Sequence, residues 1–342
     1  NMALSISELS KRIYQANILF REGKSTGYID SEYDNMVSLL KDMSPDHPVL
    51  KSLTHVAESH ESGSPIIMTG QRKILYQDGD KATRQIDRWL RKHPGDIIMS
   101  TKIDGITCLL TFDAARRLTH LYLHNNIADH AVDIFCDRYD IKPHEDIKKE
   151  FHVRGELVFL KKDFPVIRKL LGKKDSDAFC PRSAVVGLFH NTPENFKTNP
   201  LCQYLHFAAF QLITEPMYPP SKQFSILKGL GIPTAPYKTW SGPFNRETLN
   251  VAVIKNFNAS PFATDGIVLA EDRVYEVAQD NDPEYSFAFK SEDCEEKVDV
   301  MIKEILWSPS HYERLTPVAI LNKEVELDGK KVNRVTFHNA SY

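Results

Sequence analysis

Cysteine is sparse in this chain, and no two cysteines stand in a metal-binding spacing. The five cysteines are scattered singly over 342 residues, with no Cys-x-x-Cys pair: Cys108, Cys136, Cys180, Cys202 and Cys294. Structural zinc sites use closely spaced cysteine pairs, and disulfide frameworks belong to small secreted domains. We therefore expect neither a structural zinc site nor a disulfide framework here.

Long apolar runs are also lacking. No segment approaches the roughly 18 apolar residues that a membrane span requires, so we expect no membrane partner. No signal peptide precedes the first predicted helix, and Asn1 stands before Met2, so we expect Met2 to be the natural start. These features favour a cytoplasmic protein.

An excess of positive charge is missing as well. The formal net charge is −3, which argues against a protein that embraces duplex DNA unaided, because such affinity rests mostly on neutralising phosphates. Two local basic stretches are candidates to follow a nucleic-acid backbone, Lys161-Lys162 and 168–174. A charge cluster on a helix is also typical of a solvated face.

The hydrophobic pattern divides the chain into three regions, as its length predicts. Residues 1–62 have helical spacing, and Ser5 or Ser7 can cap the first helix. Residues 63–294 alternate apolar strands with a few amphipathic helices, such as 82–92. Residues 295–342 have a β pattern, which includes alternation over 298–302 and a hairpin with an Asp-Gly turn at 327–332.

Ser100-Thr101-Lys102-Ile103-Asp104-Gly105 is the most informative segment. It places a lysine just before an acid and a glycine, at the junction of two apolar segments predicted as strands, 96–99 and 106–112. A lysine in such a place is a candidate for covalent chemistry. The same Lys-x-Asp-Gly pattern is also typical of an exposed hairpin turn.

Three downstream segments add weight to the covalent interpretation. The predicted strand 151–159 carries Arg-Gly-Glu at its centre, where a glycine permits close approach of a ligand and Glu156 can point into a cleft. Thr264 to Ala270 repeats the acid-glycine-apolar theme with Asp265 and Gly266, and the strand 286–290 ends on Lys290.

The order and spacing of these four segments resemble the motif series of covalent nucleotidyltransferases, the superfamily of polynucleotide ligases and mRNA capping enzymes. The segment 180–188 (CPRSAVVGL) resembles the Asn-Pro-Arg-Asn-Ala-Ala-Ala-Gly-Ser-Leu segment of NAD-dependent DNA ligases. The segment 29–34 (IDSEYD) resembles the Asp-x-Glu-Tyr-Asp element of their NMN-binding domain. Residues 314–321 and 335–340 resemble the strands that open their OB domain.

The resemblance implies an α+β protein with the covalent nucleotidyltransferase (adenylation) fold. A small helical NMN-binding domain would occupy 1–62, the adenylation domain 63–294, and the start of an OB-fold β-barrel 295–342. Nicked double-stranded DNA would be the substrate. A second polypeptide would carry the remaining OB, zinc, helix-hairpin-helix and BRCT modules, in a bacterial cell or a phage-infected host.

The resemblance also implies roles for individual residues, with NAD and Mg²⁺ as cofactors. Lys102 matches the adenylated lysine and Lys290 the phosphate-binding lysine. Glu156 matches the acid that contacts the ribose, and Arg182 the arginine of the Pro-Arg segment. The other matching residues are Asp104 and Gly105 of the first motif, Asp265 and Gly266 of the fourth, and Asp30, Tyr33 and Asp34, which would grip NMN.

The chemistry sets a requirement on Lys102. An amine attacks phosphorus only when it is neutral, and a lysine with a pKa of about 10.4 must give up roughly 4 kcal/mol to be neutral near neutral pH. Burial, a nearby Lys290 and a bound magnesium ion would all lower its pKa. Taken singly, Arg154 with Glu156 could equally be a cross-strand pair, and Tyr33 a helix packing residue.

Some positions depart from the family pattern. Ser100 stands where an acid precedes the nucleophile, and Ala270 stands where a lysine ends the fourth motif, so that one phosphate-facing cation is absent. His124, Lys255 and Arg273 are candidates to replace it. Two alternatives therefore stay open: a catalytically weakened DNA-binding or scaffolding subunit of the same fold, and an ATP- or GTP-dependent ligase or capping-type enzyme.

Overall fold

The computed structural model describes residues 5–21, 33, 36–37, 39–40, 43–44, 47, 49, 64–124, 127–174, 179–277, 282–292, 298–309, 315–327 and 330–337. The chain forms two compact units, one made of 60–295 and the other of 1–59 together with 296–342. The larger unit contains every predicted catalytic residue. A separation of 1–62 from 295–342 into two domains stays a prediction.

The secondary structure is mixed α/β. The α-helices with continuous bounds are α1 Ile6–Arg21, α2 Asp80–Lys92, α3 Val132–Cys136, α4 Phe164–Leu170, α5 Pro181–Phe189, α6 Pro193–Thr198, α7 Pro220–Leu230 and α8 Arg246–Ala259. The strands are β1 Lys73–Leu75, β2 Ile97–Ile103, β3 Ile106–Phe112, β4 Leu118–Leu123, β5 Phe151–Val158, β6 His206–Ile213, β7 Tyr237–Thr239, β8 Thr264–Glu271, β9 Ser286–Lys290, β10 Ile302–Pro309, β11 Leu315–Leu327 and β12 Lys330–Thr336.

Two sheets build the larger unit. The first has five strands in the order β1-β9-β8-β2-β7, antiparallel except for the parallel β1–β9 pair. The second has four antiparallel strands in the order β4-β3-β5-β6. The predicted strands on either side of Asp104-Gly105 therefore belong to different sheets, so this segment is a crossing between sheets rather than a hairpin turn.

The two faces of the five-stranded sheet differ because strand residues alternate in direction. Ile97, Met99, Ile267, Leu269 and Phe289 face a core that also holds the apolar sides of α2 and α8. The alternate residues, among them Ser100 and Lys102, face the four-stranded sheet. This alternation places Lys102 of β2 and Lys290 of β9 on the same face, while Asp265 reaches both lysines from the part of β8 where the β2–β8 register shifts.

The four-stranded sheet has its own larger core, rich in phenylalanine. Phe112 and Phe151 stack at 4.8 Å between ring centroids, and Phe135 meets Phe207 edge-on. Between the two sheets a small cluster forms from Ile103, Val158, Ala208, Ala235 and Phe262. The sheets are thus joined beside the end of β2.

In the smaller unit, α1 begins as predicted at a serine cap. The Glu8 amide donates to Ser5 Oγ at 3.2 Å, and Leu9 and Ile13 of α1 pack with Met36 and Leu40. Within the described residues no helix combines the length and apolar composition needed to cross a membrane.

The three-stranded antiparallel sheet β10-β11-β12 belongs to the same unit. The strand predicted over 298–302 is wrong for 298–301, since pairing begins at Ile302. Leu327 pairs with Lys330, as a two-residue hairpin requires, while Asp328 and Gly329 lie outside the described residues. Four cysteines, Cys108, Cys136, Cys180 and Cys202, are free thiols, and Cys294 lies outside the described residues.

Candidate active site

A cavity of about 310 Å³ lies between the two sheets of the larger unit. Its walls come from β2, β5, β6, β8 and the segment before β1. Six of its lining residues carry ionisable side chains near neutral pH: Lys73, Lys102, Asp104, Arg154, Glu156 and Arg182. The cavity is the place where the sequence motifs converge.

Lys102 projects into this cavity from β2. Its strand partner on β8 is Gly266, and its Nζ lies 3.1 Å from Oδ1 of Asp265, with the lysine side chain 22% exposed. A Cβ on Gly266 would lie 2.4 Å from the Phe289 carbonyl oxygen. Glycine is therefore required at this position for β8 to pair closely with β9 beside the lysine.

Asp265 binds two lysines. Its Oδ2 accepts a hydrogen bond from Lys290 Nζ at 2.5 Å, and the same carboxylate lies against Lys102. All three side chains are about one-fifth to one-quarter exposed. The carboxylate offsets the repulsion between two ammonium groups that would otherwise lie together in a partly buried site.

Asp104 and Arg182 form a second charged pair at this part of the cavity. Arg182 Nη1 lies 3.4 Å from Asp104 Oδ1. Burial and then Asp265 raise the pKa of Asp104, while Arg182 and Lys102 act in the opposite direction. A Cβ on Gly105 would lie 2.4 Å from the Leu157 carbonyl oxygen, so the glycine permits the chain to cross closely between the sheets.

Arg182 owes its position to the start of α5. Pro181 is the first residue of that helix and the Cys180 thiol accepts the Ser183 amide hydrogen at 3.4 Å. A proline with fixed φ suits a first helical turn. The Pro-Arg segment thereby presents its guanidinium toward Asp104.

Glu156 lies on β5, opposite Thr107 of β3. Its Oε1 accepts a hydrogen bond from Thr107 Oγ1 at 2.8 Å. Burial raises the pKa of Glu156 to about 7, against the smaller opposing effects of Thr107, Lys102 and Arg182. Its charge state is therefore sensitive to pH near neutrality.

Arg154 has a role that sequence reasoning missed. It does not pair with Glu156. Its Nη2 donates to the Ile67 carbonyl at 2.6 Å, it is 6% exposed, and burial lowers its pKa to about 10. This hydrogen bond from the Arg154 guanidinium holds the segment before β1 against β5 at the cavity wall. The Arg-Gly-Glu pattern indicated that Arg154 and Glu156 are functional candidates. No local pattern predicted that the two side chains bind different partners.

Charged and uncharged residues group in different parts of the site, although Lys73, Arg154 and Glu156 also line the cavity. We call the ion-paired residues Lys102, Asp104, Arg182, Asp265 and Lys290 the charged end; the first three line the cavity, and Asp265 joins Lys290 to Lys102. The opposite part, which we call the neutral end, contains the uncharged residues Gln71, Ile98, Ser100, Ala270 and Ser286. There Ser286 Oγ donates to Gln71 Oε1 at 3.0 Å. Both departures at positions 100 and 270 are therefore at the neutral end.

The strand register separates Ala270 from the charged end. Ala270 pairs with Ile98 and with Ser286, whereas Lys102 pairs with Gly266. Four residues along a strand span about 13 Å. Position 270 therefore lies about that far along β8 from the residue that pairs with Lys102, and the absence of a phosphate-facing cation at position 270 stays a prediction.

The candidate replacement cations are placed elsewhere. Neither His124, Lys255 nor Arg273 lines the cavity, whereas Lys73 does. In the smaller unit, Tyr33 packs against the apolar cluster around Leu9, as its packing interpretation predicts, and Asp30 and Asp34 lie outside the described residues.

Magnesium fits this site only as an ion held largely by a nucleotide. The described residues contain no group of three metal-ligating acids, histidines or cysteines. Asp265 is already engaged by two lysines. Magnesium commonly binds through one or two carboxylates, waters and substrate phosphates, and Asp104 at the charged end is a donor that fits this mode.

The chain has curated relatives named DNA ligase, while no protein-family model matches it. The ligase of Acanthamoeba polyphaga mimivirus is 26% identical over 321 residues, covering 92% of this chain and 46% of the relative. That of Halothermothrix orenii is 25% identical over 342 residues, covering 91% and 48%. That of Myxococcus xanthus is 24% identical over 359 residues, covering 97% and 52%. The chain spans about half the length of these relatives.

Solved structures resemble the chain more distantly. The ATP-dependent DNA ligase of bacteriophage T7 in complex with ATP has a TM-score of 0.36 and 15% identity, covering 72% of this chain and 76% of its own. An archaeal ATP-dependent RNA ligase has a TM-score of 0.41 and 11% identity, covering 66% and 48%. Similarity at this level does not indicate which nucleotide this chain uses.

Proposed function

We propose that this chain is the adenylation part of an NAD-dependent DNA ligase. The observation that carries the proposal is the Lys102–Asp265–Lys290 arrangement at one end of a cavity, in a chain whose relatives are named DNA ligase. The proposed architecture is a nucleotidyltransferase fold between a helical NMN-binding domain and the start of an OB barrel.

In the first step, the neutral amine of Lys102 attacks the adenylyl phosphorus of NAD. An N–P bond forms, the P–O bond of the pyrophosphate bridge breaks, and NMN leaves with the bonding electron pair. Asp265 is the carboxylate nearest to the lysine Nζ and is positioned to accept its proton. The product is a lysyl-AMP intermediate.

The other residues of the charged end act on the same phosphate. Lys290 and Arg182 offer positive charge to the oxygens on which negative charge develops. Glu156 accepts a hydrogen bond from the ribose, in competition with Thr107. Magnesium, when bound with the nucleotide, would neutralise further phosphate charge.

NAD specificity depends on the N-terminal segment. Asp30, Tyr33 and Asp34 would hold the nicotinamide mononucleotide, since an aromatic face and two acids suit a cationic pyridinium ring. The later steps move AMP to the 5′-phosphate at a DNA nick and seal it by attack of the 3′-hydroxyl. A second polypeptide would supply the remaining modules.

Intact mass spectrometry tests the nucleotide. The protein is first treated with NMN to remove any AMP, and then with NAD or with ATP, each with magnesium. We expect a gain of one adenylyl group from NAD and none from ATP. A gain from ATP alone would retain the lysine chemistry and refute NAD use. No gain from either would favour the scaffolding alternative.

A further inference from the structure

A second cavity, of about 540 Å³, opens beside the edge strand β1 of the larger unit. Three cations line it: Arg72, which directly precedes β1, and Arg88 and Lys92, which lie on α2. Arg88 and Lys92 are separated by one helical turn, so their side chains extend from the same face of α2. The three cations form a cluster that we call the β1–α2 basic surface.

Because α2 is amphipathic, the cations of this surface that lie on α2 point away from the core. Ala82, Ile86 and Trp89 of α2 are buried against the five-stranded sheet, so Arg88 and Lys92 must face solvent. Arg72, Arg88 and Lys92 are all exposed. None of the three forms an ion pair with another described residue, although Asp282 and Glu284 line the same cavity.

The charge of the surface is positive at neutral pH. Three cations stand against the two acids, and His93, which also lines the cavity, has a pKa lowered mainly by burial and adds no charge there. A cluster of cations without ion pairs costs free energy through mutual repulsion, and an anionic partner would relieve it.

The β1–α2 basic surface continues into the candidate active site. Lys73 follows Arg72 in the chain and lines the catalytic cavity, and Pro283 lines both cavities. In register, Lys73 pairs with Ala288 while Leu75 pairs with Lys290, so Lys73 and Lys290 are diagonal neighbours on adjacent strands. Positive charge therefore runs from the charged end of the cleft to the outer face of α2.

We propose that the β1–α2 basic surface binds the phosphodiester backbone of the polynucleotide whose end enters the cleft. This inference rests on the proposed function for its substrate class. A path of cations that leads away from the reacting lysine matches a chain of phosphates that leads away from a reacting 5′-phosphate. Such contacts are independent of base sequence.

Two cations of the basic stretches that the sequence suggested are engaged in local contacts. Lys161 Nζ donates to the Phe257 carbonyl at 2.7 Å and lies over the Phe257 ring. Arg168 lies over the Phe179 ring and reaches the Lys174 carbonyl at 3.4 Å. These cations hold local structure, whereas Arg72, Arg88 and Lys92 do not.

Fluorescence anisotropy with a labelled nicked duplex tests the proposal without requiring adenylylation. The test variant carries Arg88→Gln and Lys92→Gln. The matched control carries Lys228→Gln and Lys238→Gln, which removes the same charge from exposed positions outside both cavities. Thermal unfolding should be equal for the two variants.

We expect the test variant to bind about tenfold more weakly than the control. We also expect the slope of log affinity against log salt to fall by about two, since each phosphate contact contributes about 0.9. Equal affinity and slope in the two variants would overturn the proposal, and so would a native protein that does not bind the duplex at low salt. Lysine adenylylation in the same samples separates either result from a failure of the proposed function.

Discussion

The two ends of the candidate active-site cavity differ in charge and in their agreement with the ligase motif series. The charged end has the lysines, acids and arginine that the motif series predicts. At the neutral end, serine and alanine stand at positions 100 and 270, beside Gln71 and Ser286. The chain therefore agrees with the motif series at the charged end and departs from it farther along β2 and β8.

The two departures are neighbours in space. Ser100 pairs with Val268 and Ala270 pairs with Ile98, so Ser100 and Ala270 are diagonal neighbours on adjacent strands, facing the same cavity. Residues so related lie about 7–8 Å apart between Cα atoms. An acid at position 100 and a lysine at position 270 would therefore be close enough to interact, and together they would leave the net charge of the cavity unchanged.

Removing the carboxylate of Asp265 at the charged end should have the largest effect of the substitutions that distinguish the two ends. In Asp265→Asn, Lys102 and Lys290 lose their common counter-ion, and the amine loses its nearest proton acceptor. We expect lysine adenylylation to slow by about a hundredfold or more, measured by mass spectrometry over time. Asp113→Asn removes a carboxylate paired with Arg117 outside the cavity and serves as the control. An Asp265→Asn rate within threefold of the native rate would contradict the assigned role.

Glu156 should make stability depend on pH. Because its pKa of about 7 lies above the ordinary value of 4.5, the folded protein retains a proton that the unfolded chain releases between these two values. The contribution of Glu156 to the free energy of unfolding should therefore decrease by about 3 kcal/mol as pH rises from about 4.5 to 7, and should stay constant above pH 7.

Urea unfolding of Glu156→Gln across that pH range measures this contribution. The variant should lose the pH-dependent decrease and be more stable than the native protein at pH 8, whereas Glu194→Gln, at an exposed position, should follow the native curve. Parallel curves for Glu156→Gln and the native protein would show that burial does not raise this pKa.

Introducing an acid at position 100 together with a lysine at position 270 should have the smallest effect. Ser100→Glu and Ala270→Lys each place one uncompensated charge at the neutral end, and we expect each to lower stability by about 1 kcal/mol. The double variant should lie within about 0.5 kcal/mol of the native protein, because neighbouring opposite charges couple. Additive losses in the double variant would mean that the two positions do not interact.

The sequence predicted the elements of the site better than their arrangement. Local alternation and glycine signals identified β3, β5, β8 and β9, and helical periodicity identified α2 from position 82 onward. These signals are local and survive in a divergent chain. The order and spacing of the motifs also predicted that Lys102, Glu156, Arg182, Asp265 and Lys290 would come together.

The sequence did not predict contacts that depend on the register between strands distant along the chain. Nothing local indicates that Arg154 binds the Ile67 carbonyl, 87 residues away. The position of Ala270 relative to Lys102 likewise follows from the β2–β8 register. The expectation over 298–301 failed because alternation alone does not provide a partner strand, and β10 pairs only from Ile302.

The most direct test of the account is to locate the adenylyl group after reaction with NAD. Peptide mass mapping of the native protein should place the group on Lys102. The adduct should be absent from Lys102→Met and present in Lys238→Met, which removes an exposed lysine from β7 of the same sheet, with both variants folded as judged by circular dichroism. An adduct on any other residue, or one retained in folded Lys102→Met, would contradict the assignment of the charged end as the catalytic centre.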